Sequence, residues 1–481
     1  MHTATLITFT IYLIALMLLG WLAYRQTHNL ADYILGNRKL GSVVAALSAG
    51  AADMSGWLML GLPGALYASG LNQIWIAIGL TIGAYLNWKW IAQRLRVQTE
   101  QTNNALTLPD FFHYRFQDNT RILRILSATI ILLFFTFYTS SGLVSGARVF
   151  ENSFGLDYTT ALWVGTIVIL AYTFIGGFFA VCWTDVLQGL LMILALIIVP
   201  VMTLYQLGGW DLTTQQIATI NPELLNPFHD TSGLKIISLM AWGLGYFGQP
   251  HILARFMAIE SASQIPQARR IGLTWMIICL LGAMATGFIG IAYFAKQPLP
   301  DPEKVFLVLS QTLFNPWLTG ILLAAILSAI MSTISAQLLV SSTTVTEDFY
   351  KGLFRKNASS SELMWVGRFS VILIGLIALW IATNPQSSIL NLVAYAWAGL
   401  GSAFGPLLIF SLFWPRITRH GAIAGLIVGA VTVVIWERLT HAGLIPFKLY
   451  EMVPAFIFSS LAIYGVSLLG KTPTTQHKFE E

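Results

Sequence analysis

Apolar residues run in long blocks along nearly the whole chain, and short polar stretches separate them. A helix needs ~20 apolar residues to cross the hydrocarbon core of a bilayer. Blocks of that size lie at about 4–24, 43–68, 71–95, 123–150, 158–178, 184–206, 234–256, 270–295, 317–346, 364–383, 387–413, 418–440 and 447–469. The pattern predicts an all-α polytopic membrane protein with about 13 transmembrane helices. Gly176-Gly177 marks a tight turn between helices 5 and 6. Leu108-Pro109-Asp110-Phe111-Phe112 predicts a short interfacial helix in the longest inside loop, and the tail after Gly470 reads as polar and disordered.

The second block departs from this pattern. Residues 48–64 carry Asp53, two serines, four glycines and Pro63 inside an apolar run. A helix that only had to cross lipid would avoid such a mixture, because every freed backbone group there needs a partner. A charge at the bilayer centre costs roughly 2.5–3.5 kcal/mol on the insertion scale. Interrupted helices are where transporters hold ions and solutes, so residues 50–57 read as half of a binding site.

A second interruption follows at Trp242-Gly243-Leu244-Gly245-Tyr246-Phe247-Gly248-Gln249-Pro250-His251. Three glycines and a proline weaken the helix there. The two breaks fall in helices 2 and 7, five helices apart. Helices 2–6 (43–232) and 7–11 (233–415) therefore read as a five-plus-five inverted repeat. Residues 1–42 precede it, and 416–481 add two C-terminal helices and the tail. In helix 9, Ala329, Ser332 and Thr333 share one face at i, i+3 and i+4. Hydroxyls and freed carbonyls are hard ligands, suited to Na⁺ rather than a soft metal. Small and hydroxyl residues also serve plain helix packing, and the later run Ser341-Ser342-Thr343-Thr344, nearer the inside end, reads as packing or as part of the ion exit.

Composition agrees with the membrane reading: the chain is 56% hydrophobic and 10% charged, against about 25% charged in a soluble domain. The net charge of +5 does not point to nucleic acid, because the basic residues lie in short loops between apolar blocks. No Lys or Arg precedes the first block, which reads as a retained helix with its N-terminus outside and not as a cleaved signal. On that assignment 20 of the 26 Lys and Arg residues fall inside, Arg255 among them, and 6 fall outside. The asymmetry predicts an outside N-terminus and a cytoplasmic C-terminus. Cys182 and Cys279 form no metal or redox pattern. There is no nucleophile–base pair, phosphate loop or cofactor motif, so the chain does not read as an enzyme.

These residues resemble a known family, the sodium:solute symporters. The resemblance is carried by Asp53-Met54-Ser55-Gly56-Trp57 with Gly61-Leu62-Pro63-Gly64, and by Trp75-Ile76-Ala77-Ile78-Gly79-Leu80. It continues in the second break and from Met331-Ser332-Thr333 to Thr346-Glu347-Asp348, and it covers nearly the whole chain. It implies the LeuT-type inverted-repeat fold and Na⁺-coupled uptake of L-proline by alternating access across a bacterial cytoplasmic (inner) membrane. The partners it implies are L-proline, Na⁺ and the lipid bilayer, without an obligatory protein partner.

The resemblance also implies roles by position. Na⁺ is held by the carbonyls of Ala51, Met54 and Ala329 and by the hydroxyls of Ser332 and Thr333. The solute pocket maps onto Ser55, Gly56, Trp57, Tyr138, Trp242 and Tyr246. Asp53 is needed for high Na⁺ affinity, and Arg38 affects coupling on the cytoplasmic side. Proline suits such a pocket: its carboxylate can accept at a half-helix N-terminus, and its ammonium can lie over an aromatic face. Competing expectations are proton coupling through Asp53, a different small solute, and an ion channel.

Overall fold

In the computed structural model, described for residues 3–25, 27, 29–175, 177–384, 388–446 and 448–470, every regular element is helical. The spans follow the predicted order. α1 is Thr3–Tyr24; α2 has two halves, Ser42–Asp53 and 57–69; α3 covers 70–101. α4 is Ile122–Phe154, α5 Tyr158–Ile175 and α6 Phe178–Gln206. α7 covers 233–258 in three pieces, and α8 is Ile265–Tyr293. α9 is Pro316–Thr343, prolonged by wide turns over Thr344–Phe354. α10 is Ser360–Ile381, α11 Ile389–Phe413, α12 Arg419–His441 and α13 Met452–Leu469.

Ten described helices are long and apolar enough to cross a membrane. That number is below the expected 13 because Trp57–Gln101 runs on without interruption, and because α5 and the pieces of α7 are short. Several boundaries move, among them that of α3, which runs on to Gln101, and that of α8, which starts at Ile265. α6 starts at Phe178 rather than near 184, directly after extended Gly177; Gly176 lies outside the described residues, as does the tail from 471. α9 runs on to Phe354. α13 starts at Met452, because the chain before it is not helical.

Local chemistry explains the key elements. Asn315 caps α9, accepting from the backbone N–H groups of Trp317 and Leu318 at 3.1 Å, with Pro316 at the first helical position. In α7 the glycine-rich stretch Ala241–Gly248 tightens into 3₁₀ turns. Gln249 is then extended (φ −89°, ψ 104°), as a residue before proline prefers, and Pro250 opens the second helical half. Gly243 is required here, since a Cβ would run into the Gly79 carbonyl of α3.

Helix α9 is the centre of the molecule. It packs against α1, α2, α4, α6 and α10, and 89% of its apolar window is buried, against 28% in α1 and in α12. Helices α11, α12 and α13 pack together, with α11 also lying on the 3₁₀ segment of α7. The expected loop helix is present as Leu108–Arg115, capped by Thr107. Its apolar side faces protein: Leu108, Phe111 and Phe112 are buried. Ion pairing of Asp110 with Arg124 and the bonds from Thr107 to Asp348 hold it against α4 and the end of α9.

Candidate functional site

The break in α2 frees the Ala51 carbonyl. In a continuous helix the N–H of Ser55 would donate to Ala51, four residues back. Met54 leaves the helical region (φ −79°, ψ 80°), and the Ser55 N–H turns to the Asp53 carbonyl at 3.0 Å. The Ala51 carbonyl accepts instead from α9, from the Ser332 hydroxyl at 2.7 Å and the Thr333 hydroxyl at 3.4 Å. Ser332 also reaches the Ala329 carbonyl at 3.2 Å. Ala51, Ala329, Ser332 and Thr333 thus meet at one point, and Met54 lies fully buried at the break itself. This cluster of oxygens can take a hard cation once the two hydroxyls turn their lone pairs inward.

The residues expected to form the solute pocket gather at the same break. The Asp53 carbonyl accepts from the Trp57 indole at 3.1 Å and from the Tyr138 hydroxyl at 3.4 Å. The Asp53 carboxylate accepts from the Tyr246 hydroxyl at 2.5 Å through Oδ2, while Oδ1 has no hydrogen-bond partner. Trp57 and Trp242 approach with ring centroids 6.2 Å apart, and Tyr246 meets Trp397 edge to face at 5.2 Å. Ser55, Trp57, Tyr138, Trp242 and Tyr246 are all buried. Gly56 has no room for a side chain, because Ser145 of α4 lies where its Cβ would project.

Arg38 lies away from this cluster. Its guanidinium donates to Asn104 at 2.8 Å, Thr99 at 3.1 Å, the Met257 carbonyl at 2.6 Å and the Ala105 carbonyl at 2.7 Å. It therefore ties the segment before α2 to the ends of α3 and α7. Burial, reinforced by nearby Arg96, lowers it to about 10, which leaves it cationic at neutral pH. Leu40 strengthens the tie through a bridge to Ile259.

Among the buried charges that sequence reasoning missed, one pair lies within the helices. Arg255, counted among the inside loops, is fully buried in α7 and pairs with Asp185 of α6 at 3.3 Å. Ser48 of α2 joins them, donating to Asp185 at 2.7 Å and accepting from Arg255 at 3.1 Å. The available signal was Asp185 itself, an acid inside an apolar run.

Comparison with known proteins bears on this arrangement. A family model described as "Sodium:solute symporter family" matches residues 33–429. The chain is 55% identical over 487 residues to the sodium/proline symporter of Escherichia coli (strain K12), covering 100% of this chain and 96% of that one. It is 52% identical over 461 residues to the high-affinity proline transporter PutP of Bacillus subtilis (strain 168), covering 95% and 97%. Among solved structures it superposes on a Na⁺-coupled sialic acid symporter in a substrate-bound outward-open state, with TM-score 0.82 and 18% identity over 98% and 99% of the two chains. The nucleobase-cation symporter Mhp1 with bromovinylhydantoin bound follows at TM-score 0.59 and 15% identity, covering 94% and 98%.

Proposed function

The chain belongs to the sodium:solute symporter family, and from that membership we propose that it is a Na⁺-coupled L-proline symporter working by alternating access. The Ala51 carbonyl, released by the break in α2 and met by Ser332 and Thr333 of α9, is the observation that carries the ion half of this reading. The names of its full-length relatives carry the solute half. Na⁺ binds among the carbonyls of Ala51, Met54 and Ala329 and the hydroxyls of Ser332 and Thr333. Proline binds against Ser55, Gly56, Trp57, Tyr138, Trp242 and Tyr246. Asp53 supplies negative charge between the two sites, and Arg38 links ion binding to movement at the cytoplasmic end.

Coupling then has a simple origin. Na⁺ bridging α2 and α9 fixes the broken helix in the shape that accepts proline, so each ligand raises the affinity for the other by the same factor. An inward potential of about 100 mV supplies ~2.3 kcal/mol per charge, and a roughly tenfold Na⁺ gradient adds ~1.4 kcal/mol. Together they sustain roughly 500-fold accumulation at one Na⁺ per proline. The charge asymmetry supports an outside N-terminus and a cytoplasmic C-terminus, the bacterial relatives support residence in a bacterial cytoplasmic membrane, and the paired breaks support repeats at 43–232 and 233–415. Na⁺-dependent binding of a panel of solutes to the purified protein tests the assignment. Binding of L-proline that requires Na⁺ is expected, and binding indifferent to Na⁺ would refute it.

A further inference from the structure

Trp242 is held on every side, and one of its supports comes from outside the predicted repeats. Its carbonyl accepts from the Trp397 indole of α11 at 2.7 Å. Trp57 approaches its ring at 6.2 Å and 44°, whereas Tyr450 stacks on it at 5.7 Å and 21°. Tyr450 belongs to the segment between α12 and α13 and is itself pinned. Its hydroxyl donates to the Ala394 carbonyl of α11 at 2.6 Å, and its N–H donates to Ser238, one turn before Trp242, at 3.1 Å. The residue before it, Leu449, accepts from the Trp436 indole of α12 at 3.0 Å.

We propose that Tyr450 is a positioning residue for solute recognition: its ring backs Trp242 and fixes the aromatic wall that the solute meets. The placement gives α12 and α13 a part in recognition that the repeats alone do not assign. Tyr450 does not need to touch the solute. It sets the tilt of Trp242 by stacking and is locked to α11, which also holds the Trp242 backbone. Aromatic stacking of this kind contributes enough to change affinity by roughly two- to tenfold.

This inference rests on Trp242 belonging to the proline pocket, so the test measures both residues. Half-saturating L-proline is measured at saturating Na⁺, and half-saturating Na⁺ at saturating L-proline, in proteoliposomes. Tyr450→Ala is expected to raise the proline value roughly two- to tenfold and leave the Na⁺ value unchanged. Tyr450→Phe, which keeps the ring, is expected to restore the proline value. In a Trp242→Ala background, Tyr450→Ala is expected to add nothing further. Tyr450→Leu serves in place of Tyr450→Ala if the latter does not reach the membrane. An unchanged proline value in the ring-deleting variant, or equal shifts for both ligands, would overturn the role of Tyr450. If Trp242→Ala itself leaves the proline value unchanged, the pocket assignment fails instead.

Discussion

Ser332 and Ala51 meet at 2.7 Å, a hydroxyl of α9 bonded to a carbonyl that the break in α2 has released. The contact joins the two predicted repeats at one atom pair. A cation placed there replaces one hydrogen bond with several ion–oxygen contacts, and it stiffens α2 against α9 at the same time. The binding of an ion thereby bears on the helix that carries Ser55, Gly56 and Trp57.

Removing either hydroxyl is expected to weaken the ion selectively. Ser332→Ala and Thr333→Ala should each raise the Na⁺ concentration for half-maximal uptake by roughly tenfold, equivalent to ~1.4 kcal/mol. Na⁺ titration of proline uptake reads this directly. Unchanged Na⁺ dependence in both variants would remove α9 from the ion site.

Trp242→Ala is expected to act on the other ligand. Half-saturating proline should rise more than half-saturating Na⁺, because the ring packs in the aromatic group with Trp57 and Tyr450 and bonds to none of the Ala51, Ser332 and Thr333 oxygens. Equal loss of both would indicate a folding defect.

Close packing at the break gives a third expectation. Gly56→Ala places a methyl group against Ser145 and should lower uptake severalfold, since overpacking costs typically 1–3 kcal/mol. Ser145→Gly in the same chain should recover most of the rate. A Gly56→Ala variant with normal uptake would show that α4 yields freely at this point.

Much of this arrangement is legible in the sequence, and the remainder is not for definable reasons. The breaks announce themselves because Gly243, Gly245, Gly248 and Pro250 are chemically unsuited to a continuous span, as are Asp53 and its glycines. Blocks of apolar residues set the order of the helices with small errors at their ends. The pairing of Arg255 with Asp185 is hidden, because Arg255 sits near the end of its span and reads as a charge reaching for water. Only the packing of α6 and α7 on α2 turns it inward. The burial of Leu108, Phe111 and Phe112 is hidden for a similar reason: this apolar face suits lipid and protein equally. Tyr450 carries no local signal at all, since its role depends on where α13 meets α7 and α11. Family resemblance alone assigns residues to ion and solute; the structure gathers these around the break, with Arg38 apart at the end of α7.

The buried pair makes a further expectation about stability. Arg255→Met leaves the Asp185 carboxylate without its cation and should cost about 3–5 kcal/mol, seen as a lowered Tm of the purified protein. Arg255→Met with Asp185→Leu should regain much of that loss, because two apolar groups need no mutual compensation. A double variant as unstable as the single one would show that the pair is not the source of the effect.

The most direct test of Na⁺–proline symport is uptake of labelled L-proline into proteoliposomes under an imposed inward Na⁺ gradient at constant pH. Transient accumulation above the outside concentration, lost when K⁺ replaces Na⁺ and suppressed by excess unlabelled L-proline, is the predicted result. Uptake that ignores the Na⁺ gradient and follows a proton gradient would contradict the account.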